Sequence, residues 1–248
     1  VLAILRTIGK HSGIYAASTL VARVIGFLMI PLYTRFLTPA EFGIIALLDL
    51  TNGILTLVVG VGMSGAMLRI YYQYSDRDRQ RKVISTAFCF LIIAETVVYI
   101  ILYLARGWIS DLVFQSTAFS AYYTVAFLTL CVSLLTQLGL THLRAKQQSM
   151  RYALMTLVQL VVSLTLNILL IVVFRMGVWG LLYSNLISAL ALAVVLTGLS
   201  LWEVKIAFSQ SQLRQMLAYG LPLVPASVCM FVITFADRWF LQHYSSLS

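Results

Sequence analysis

The sequence predicts an all-α membrane protein, and three observations carry that prediction. Of 248 residues, 61% are hydrophobic and only 10% are charged, against about 25% charged in a typical soluble domain. Apolar runs of roughly 20 residues, the length that crosses a bilayer at about 1.5 Å rise per residue, recur along the whole chain. The runs are long and unbroken, whereas barrel strands are about ten residues long and alternate in polarity.

On this rule seven spans are expected. The first, Ser12–Leu37, carries Arg23 near its middle and Pro31 near its end. The second, Ala40–Leu68, opens on Thr38-Pro39 with Glu41 in its first turn, a helix-start signal. The third is Val83–Leu104, the fourth Phe119–His142, the fifth Tyr152–Phe174 and the sixth Val178–Trp202. The seventh, Met216–His243, contains Pro222 and Pro225, which should bend it, and ends near Asp237, Arg238 and Trp239, residue types that anchor a helix at the membrane surface. Phe208–Leu217, with a possible cap at Ser209, reads as a short interfacial helix ahead of it.

The net charge is +9. The basic residues sit in short loops between apolar runs, which points to topology and anionic lipid rather than nucleic acid. One set of loops holds Arg6, Lys10, Arg69, Arg77, Arg79, Arg81, Lys82, Arg144, Lys146, Arg151, Lys205 and Arg214; the other holds Arg35, Arg106 and Arg175. The positive-inside rule then places the N-terminus in the cytoplasm. The longest loop on that side is expected over Tyr71–Lys82, and one on the other side over Ala105–Ala118. Cys89, Cys131 and Cys229 all lie in apolar runs without metal-ligand spacing, so they read as core residues.

Polar groups at membrane depth are costly and mark cavities or partners. Arg23 lies about eleven residues, roughly 17 Å, into its span, on a face of small and polar residues with Ser12, Ala16, Thr19 and Gly26. Asp49 lies at a similar depth on a stripe with Gly43, Ala46, Asn52, Thr56 and Gly60, so an Arg23–Asp49 contact is expected as a locking ion pair, as part of a cavity, or as both. Glu95 sits mid-span among apolar neighbours and is a candidate for ion coupling. On the fifth span Thr156, Gln159, Ser163 and Asn167 form a face more polar than packing requires. On the sixth, Gly177, Gly180, Ser184, Ser188 and Ala191 form a small-residue packing seam. The candidate cavity residues are therefore Arg23, Asp49, Asn52, Gln159 and Asn167, with Asp49 and Glu95 as candidate coupling carboxylates. A short likeness between YTRFL (33–37) and ADRWFL (236–241) is consistent with a six-helix unit repeated in parallel.

ARVIGFLMIPLYTRFLTPAEFGIIAL (22–47), GMSGAMLRIYYQYSDRDRQRKVISTA (62–87), YGLPLVPAS (219–227) and ADRWFL (236–241) together resemble the polysaccharide biosynthesis, or oligosaccharide flippase, proteins of the multidrug/oligosaccharidyl-lipid/polysaccharide exporter superfamily, which include the O-antigen flippases. The resemblance implies a two-lobe fold of twelve to fourteen helices around a central cavity. Residues 1–205 would be the N-terminal six-helix lobe, and 206–248 an interfacial helix and the first helix of a truncated second lobe.

It also implies alternating-access transfer of an undecaprenyl-pyrophosphate-linked oligosaccharide across the bacterial inner membrane. The family's first-span arginine carries over as Arg23. The further arginine of lipid II flippases has no counterpart over Phe27–Ile30, which favours another lipid-linked oligosaccharide. Expected partners are that substrate, membrane lipid and the polysaccharide polymerase machinery, and no nucleic acid. No cofactor is expected beyond a proton or sodium gradient, and no enzyme activity, since the loops offer only Asp111 where a catalytic cluster would be needed. The alternative is a cation-coupled multidrug antiporter of the same superfamily, with Asp49 or Glu95 as its coupling site.

Overall fold

The computed structural model describes residues 20–21, 24–27, 29–31, 33–60, 62–204, 207–230 and 233. Within them the chain is a bundle of antiparallel helices: α1 Val24–Phe36, α2 Pro39–Val59, α3 Met63–Gln73, α4 Arg77–Phe114, α5 Ser120–Ala145, α6 Ser149–Asn167, α7 Val178–Val204 and α8 Gln210–Gly220. Five stretches are long and apolar enough to cross a membrane: Pro39–Gln73, Arg77–Phe114, Thr117–Ala145, Ser149–Val173 and Val178–Val204. The protein is thus a multi-pass, all-α membrane protein. The expected first and seventh spans run partly outside the described residues, as do Arg23, Asp237, Arg238 and the 236–241 half of the internal likeness.

The start of α2 follows its sequence signal. Thr38 caps the helix by accepting from the Glu41 amide at 3.3 Å, while the Glu41 carboxylate accepts from the Thr38 amide at 2.8 Å, and Pro39 fills the first helical position, where no amide is needed. The expected uninterrupted second span is instead two helices. The chain breaks between Val59 and Met63, where Gly62 takes φ +59° with the backbone of Gly220 close against it. Only a residue without Cβ fits both conditions comfortably.

Two expected loops are helix. Arg77–Lys82 forms the first turns of α4, because Asp76 caps it by accepting from the Asp78 amide and the following residues, apart from Asp78, are good helix formers. At its other end α4 continues to Phe114, where Gln115 closes it in a left-handed conformation. Ile93, Ile100 and Leu104 on α4 stay exposed. Past Asn167 the fifth span widens into a π-helical turn, Ile168–Val173.

Side-chain packing holds the bundle, since lipid removes most of the hydrophobic drive between helices. The largest core joins Met63, Met67 and Ile70 of α3 to Phe88 of α4, Leu138 of α5 and Met216 of α8. A second core joins Leu48 of α2 to Tyr123 and Phe127 of α5 and Leu182 of α7. Helices α5 and α7 approach closely at Gly139, where an added Cβ would stand 2.6 Å from Leu196 Cβ.

The Lys- and Arg-rich segments gather at one end of the bundle. Tyr72 there donates to the Ala145 carbonyl, and Glu203 of α7 holds Lys146 and Arg151. This is the basic end. At the opposite end Arg106 of α4 donates to Thr124 of α5.

The α8 segment is more than an interfacial strip. Ala207 and Ser209 donate backbone N–H groups to Ser85 and Thr86 of α4, Gln212 reaches the Arg79 carbonyl, and the Arg69 guanidinium lies 4.3 Å over the Tyr219 ring. Ser209 occupies the cap position but its side chain makes no capping bond. The helix ends at Gly220, Leu221 and Pro222 form a turn, and a new helix runs over 223–230. The bend expected of the prolines is therefore a full break.

Candidate functional site

Four helices, α2, α5, α6 and α7, line an open cavity of about 520 Å³. Most of its polar lining comes from the inner turns of the helices, while Tyr152 lies in the first turn of α6 and Leu182 in the second turn of α7. Asp49 and Asn52 come from α2, Thr129 and Ser133 from α5, Thr156, Gln159 and Ser163 from α6, and Asn185 and Ser188 from α7. Leu48, Leu182 and Tyr152 complete much of the wall.

Helical periodicity explains the convergence. Asp49 and Asn52 are three apart, Thr129 and Ser133 four apart, and Thr156, Gln159 and Ser163 follow at three and four, so each set shares one face.

The hydroxyls mostly spend their hydrogens locally. Thr129 donates to the Val125 carbonyl at 2.8 Å, Thr156 to Tyr152 at 3.0 Å and Ser188 to Asn185 at 3.0 Å. Their lone pairs remain as acceptors, while the amides of Asn52, Gln159 and Asn185 offer both donors and acceptors. Asn52 Oδ1 is buried without a hydrogen-bond partner among the described residues. Asp49 is the one charged group among the described lining residues. The cavity can therefore satisfy a ligand rich in hydroxyls, and it carries a single fixed carboxylate.

Three of the residues singled out in the sequence, Asp49, Asn52 and Gln159, meet in this cavity. Arg23 lies outside the described residues, and with it the expected Arg23–Asp49 contact. Asn167 stands elsewhere. It is buried, donates to the Ser163 carbonyl at 2.8 Å and accepts from Ser184 Oγ at 2.7 Å, so it joins α6 to α7 beneath the π-helical turn. The seam on α7 packs as expected at Gly180 and Ser184, while Ala191 is exposed.

Glu95 is only 3% exposed and lies on α4 outside the cavity lining. Its carboxylate faces the Cys131 thiol and has no cation beside it among the described residues. Sequence reasoning passed over Thr129, Ser133, Asn185 and Tyr152. The four-residue spacing of Thr129 and Ser133 was a legible signal, as was Asn185 three residues before Ser188.

The fold and site together are a multi-pass helical bundle with a polar cavity between four of its helices. The chain belongs to the family described as polysaccharide biosynthesis protein, whose model matches residues 32–244. It is 22% identical to protein 1 of the Lsg locus of Haemophilus influenzae, over 94% of this chain and 56% of that one.

Among solved structures, it superposes on a MOP-superfamily transporter from Pyrococcus furiosus with a TM-score of 0.71 and 18% identity, covering 88% of this chain and 52% of that one. That transporter is described as having a binding pocket of reversed polarity. The outward-facing form of a multidrug resistance MATE family transporter matches with a TM-score of 0.66 and 17% identity, over 91% of this chain and 51% of that one. The chain thus spans about half the length of the relatives it matches. Its fold matches about half of the fold of these transporters.

Proposed function

We propose that the protein moves an undecaprenyl-pyrophosphate-linked oligosaccharide from the cytoplasmic to the periplasmic leaflet of a bacterial inner membrane by alternating access, for surface polysaccharide export. The observation that carries this reading is the cavity lining: neutral hydrogen-bonding groups on four helices, in a chain of a polysaccharide biosynthesis family. Each glycan hydroxyl left bare in hydrocarbon costs several kcal/mol, about 4–8 on a water-to-alkane scale. Side chains such as Gln159, Asn185 and Ser133 would replace that lost water while the prenyl tail stays in lipid.

In this reading the basic end faces the cytoplasm, following the positive-inside rule. Arg23 would hold the pyrophosphate, since a guanidinium binds such oxygens in a bidentate way. Asp49 would compete for Arg23 and so allow release. A proton or sodium gradient would act through Asp49 or Glu95, and the polymerase machinery would take the delivered glycan.

A cation-coupled multidrug antiporter is the second reading. It is favoured by Asp49, a carboxylate in the cavity that an organic cation would seek.

One experiment separates the two. The full-length protein is placed in vesicles with a fluorescent lipid-linked oligosaccharide, and exposure of the glycan to an external glycosidase is followed beside efflux of a cationic dye. Glycan transfer that is lost in Arg23→Ala, with membrane insertion intact, is the expected result. Dye efflux without glycan transfer would overturn the flippase reading, as would full transfer by Arg23→Ala for the role of that residue.

A further inference from the structure

At the basic end lies a second concavity, about 620 Å³, that the four-helix cavity does not include. Its lining includes Arg77 and Arg81 from the start of α4, Lys146 and Gln148 from the α5–α6 link, Tyr72 from α3 and Glu203 from α7. Three cations thus face one carboxylate. Glu203 is shared, since it accepts from Lys146 and also meets Arg151 at 3.6 Å. Among the described residues, the one acidic contact to Arg77 and Arg81 is Asp78 to Arg81 at 3.6 Å, with both side chains exposed to solvent, a screened pair that a phosphate can displace. The groove is therefore electropositive and open.

Its level in the membrane selects the ligand. Tyr72 is 55% exposed, and Trp202, next to Glu203, is 85% exposed, residue types that settle among lipid headgroups. Arginine and lysine at that level recognise phosphate groups carried by lipid.

The groove also adjoins the cavity along one helix face. Gln148, at the residue before α6, lines the groove, and Tyr152, one turn further, lines the cavity, followed by Thr156, Gln159 and Ser163. The Arg144 guanidinium covers the Tyr152 ring at 4.6 Å and donates to its hydroxyl, so a further cation stands at the junction.

We propose that this groove binds the phosphate or pyrophosphate group of a lipid and presents it to the polar face of α6 leading into the cavity. The placement on a route rests on the flippase reading; the binding itself does not.

The test uses the full-length protein in detergent with radiolabelled farnesyl pyrophosphate as probe, and inorganic pyrophosphate and farnesol as competitors. The double variant Arg77→Ala/Arg81→Ala should bind at least tenfold more weakly. Arg77→Lys/Arg81→Lys should stay within about threefold of the unaltered protein, because lysine keeps the charge and binds phosphate as a point charge, and an open groove sets no fixed bidentate geometry. Arg106→Ala, at the opposite end, should bind normally. Unfolding temperatures of all three variants separate loss of site from loss of fold.

Normal binding by the double alanine variant overturns the proposal, and so does a loss that the lysine variant does not restore. Competition by farnesol but not by pyrophosphate overturns it as well, because the tail would then dominate. Competition by inorganic pyrophosphate as strong as by the lipid overturns the lipid assignment. In the vesicle assay, a double alanine variant that has lost binding yet transfers glycan at the normal rate removes the groove from the route and leaves the flippase reading standing. Absence of transfer by the unaltered protein sinks that reading and leaves the binding result untouched.

Discussion

Ser184 Oγ donates to Asn167 Oδ1 at 2.7 Å, while the Asn167 amide donates back along its own helix to Ser163. The pair locks α6 to α7 where α6 widens into its π-helical turn. Interhelical hydrogen bonds in membranes contribute about 0.6 kcal/mol on average and up to about 1.7. Asn167→Ala should therefore lower unfolding free energy by about 1 kcal/mol and Ser184→Ala by about 0.6 kcal/mol. Reversible unfolding in mixed micelles measures both, and two unaltered stabilities would show the contact to be idle.

The cavity residues should behave in the opposite way. Gln159→Leu and Asn185→Leu remove hydrogen-bonding groups from the cavity wall without touching a helix seam. Stability should hold, and glycan transfer should fall at least tenfold, about 1.4 kcal/mol of lost interaction. Normal transfer by both variants would detach the cavity from the activity.

Two glycines on neighbouring helices predict opposite outcomes. Gly139→Ala would press a methyl to 2.6 Å from Leu196 Cβ on α7, and overpacking of this kind costs about 1–3 kcal/mol. Gly198, on α7, has nothing within 4 Å of an added Cβ. Gly198→Ala should be neutral or stabilising by up to about 1 kcal/mol, through helix propensity alone. Thermal unfolding of the two variants side by side checks the contrast.

Glu203 neutralises Lys146 and Arg151 at once. Its side chain is 28% exposed, so solvent screens the cluster in part. Glu203→Gln leaves two cations without their shared partner and should cost about 1 kcal/mol at low ionic strength. Raising salt toward 1 M, where the screening length is about 3 Å, should shrink the difference. A cost independent of salt would mean that packing, not charge, is what the substitution removes.

Glu95 has no cation beside it among the described residues, so the ionised carboxylate gains no ion pair there. Glu95→Gln keeps shape and removes the ionisable group, and the folded protein should keep its stability within about 1 kcal/mol. Transfer measured with and without an imposed proton gradient then reads the coupling role directly. Loss of the gradient response with stability retained is the expected result if Glu95 couples, and an unchanged response assigns it to packing beside Cys131.

Much of this molecule was legible because membrane depth makes polar residues conspicuous. Run length and composition determined the helical class and the order of spans. The Thr38–Glu41 pair determined where α2 begins, because a capping box is a local structure that needs no distant partner. The polar spacing of Thr156, Gln159 and Ser163 picked out a cavity face, and Asp49 with Asn52 picked out another.

What only the tertiary structure decided depends on contacts between distant segments. Asn167 shares the α6 stripe with Gln159, yet Ser184 takes it into a helix seam, and no spacing within α6 reveals that. The break at Gly62 turns on the Gly220 backbone lying against it, about 158 residues along the chain. The groove at the basic end exists because the ends of α3, α4, α5 and α7 meet there, so charges that read in sequence as separate topology signals form one surface. Local rules set the helices and their polar faces, and packing between helices decided which of those faces line a cavity.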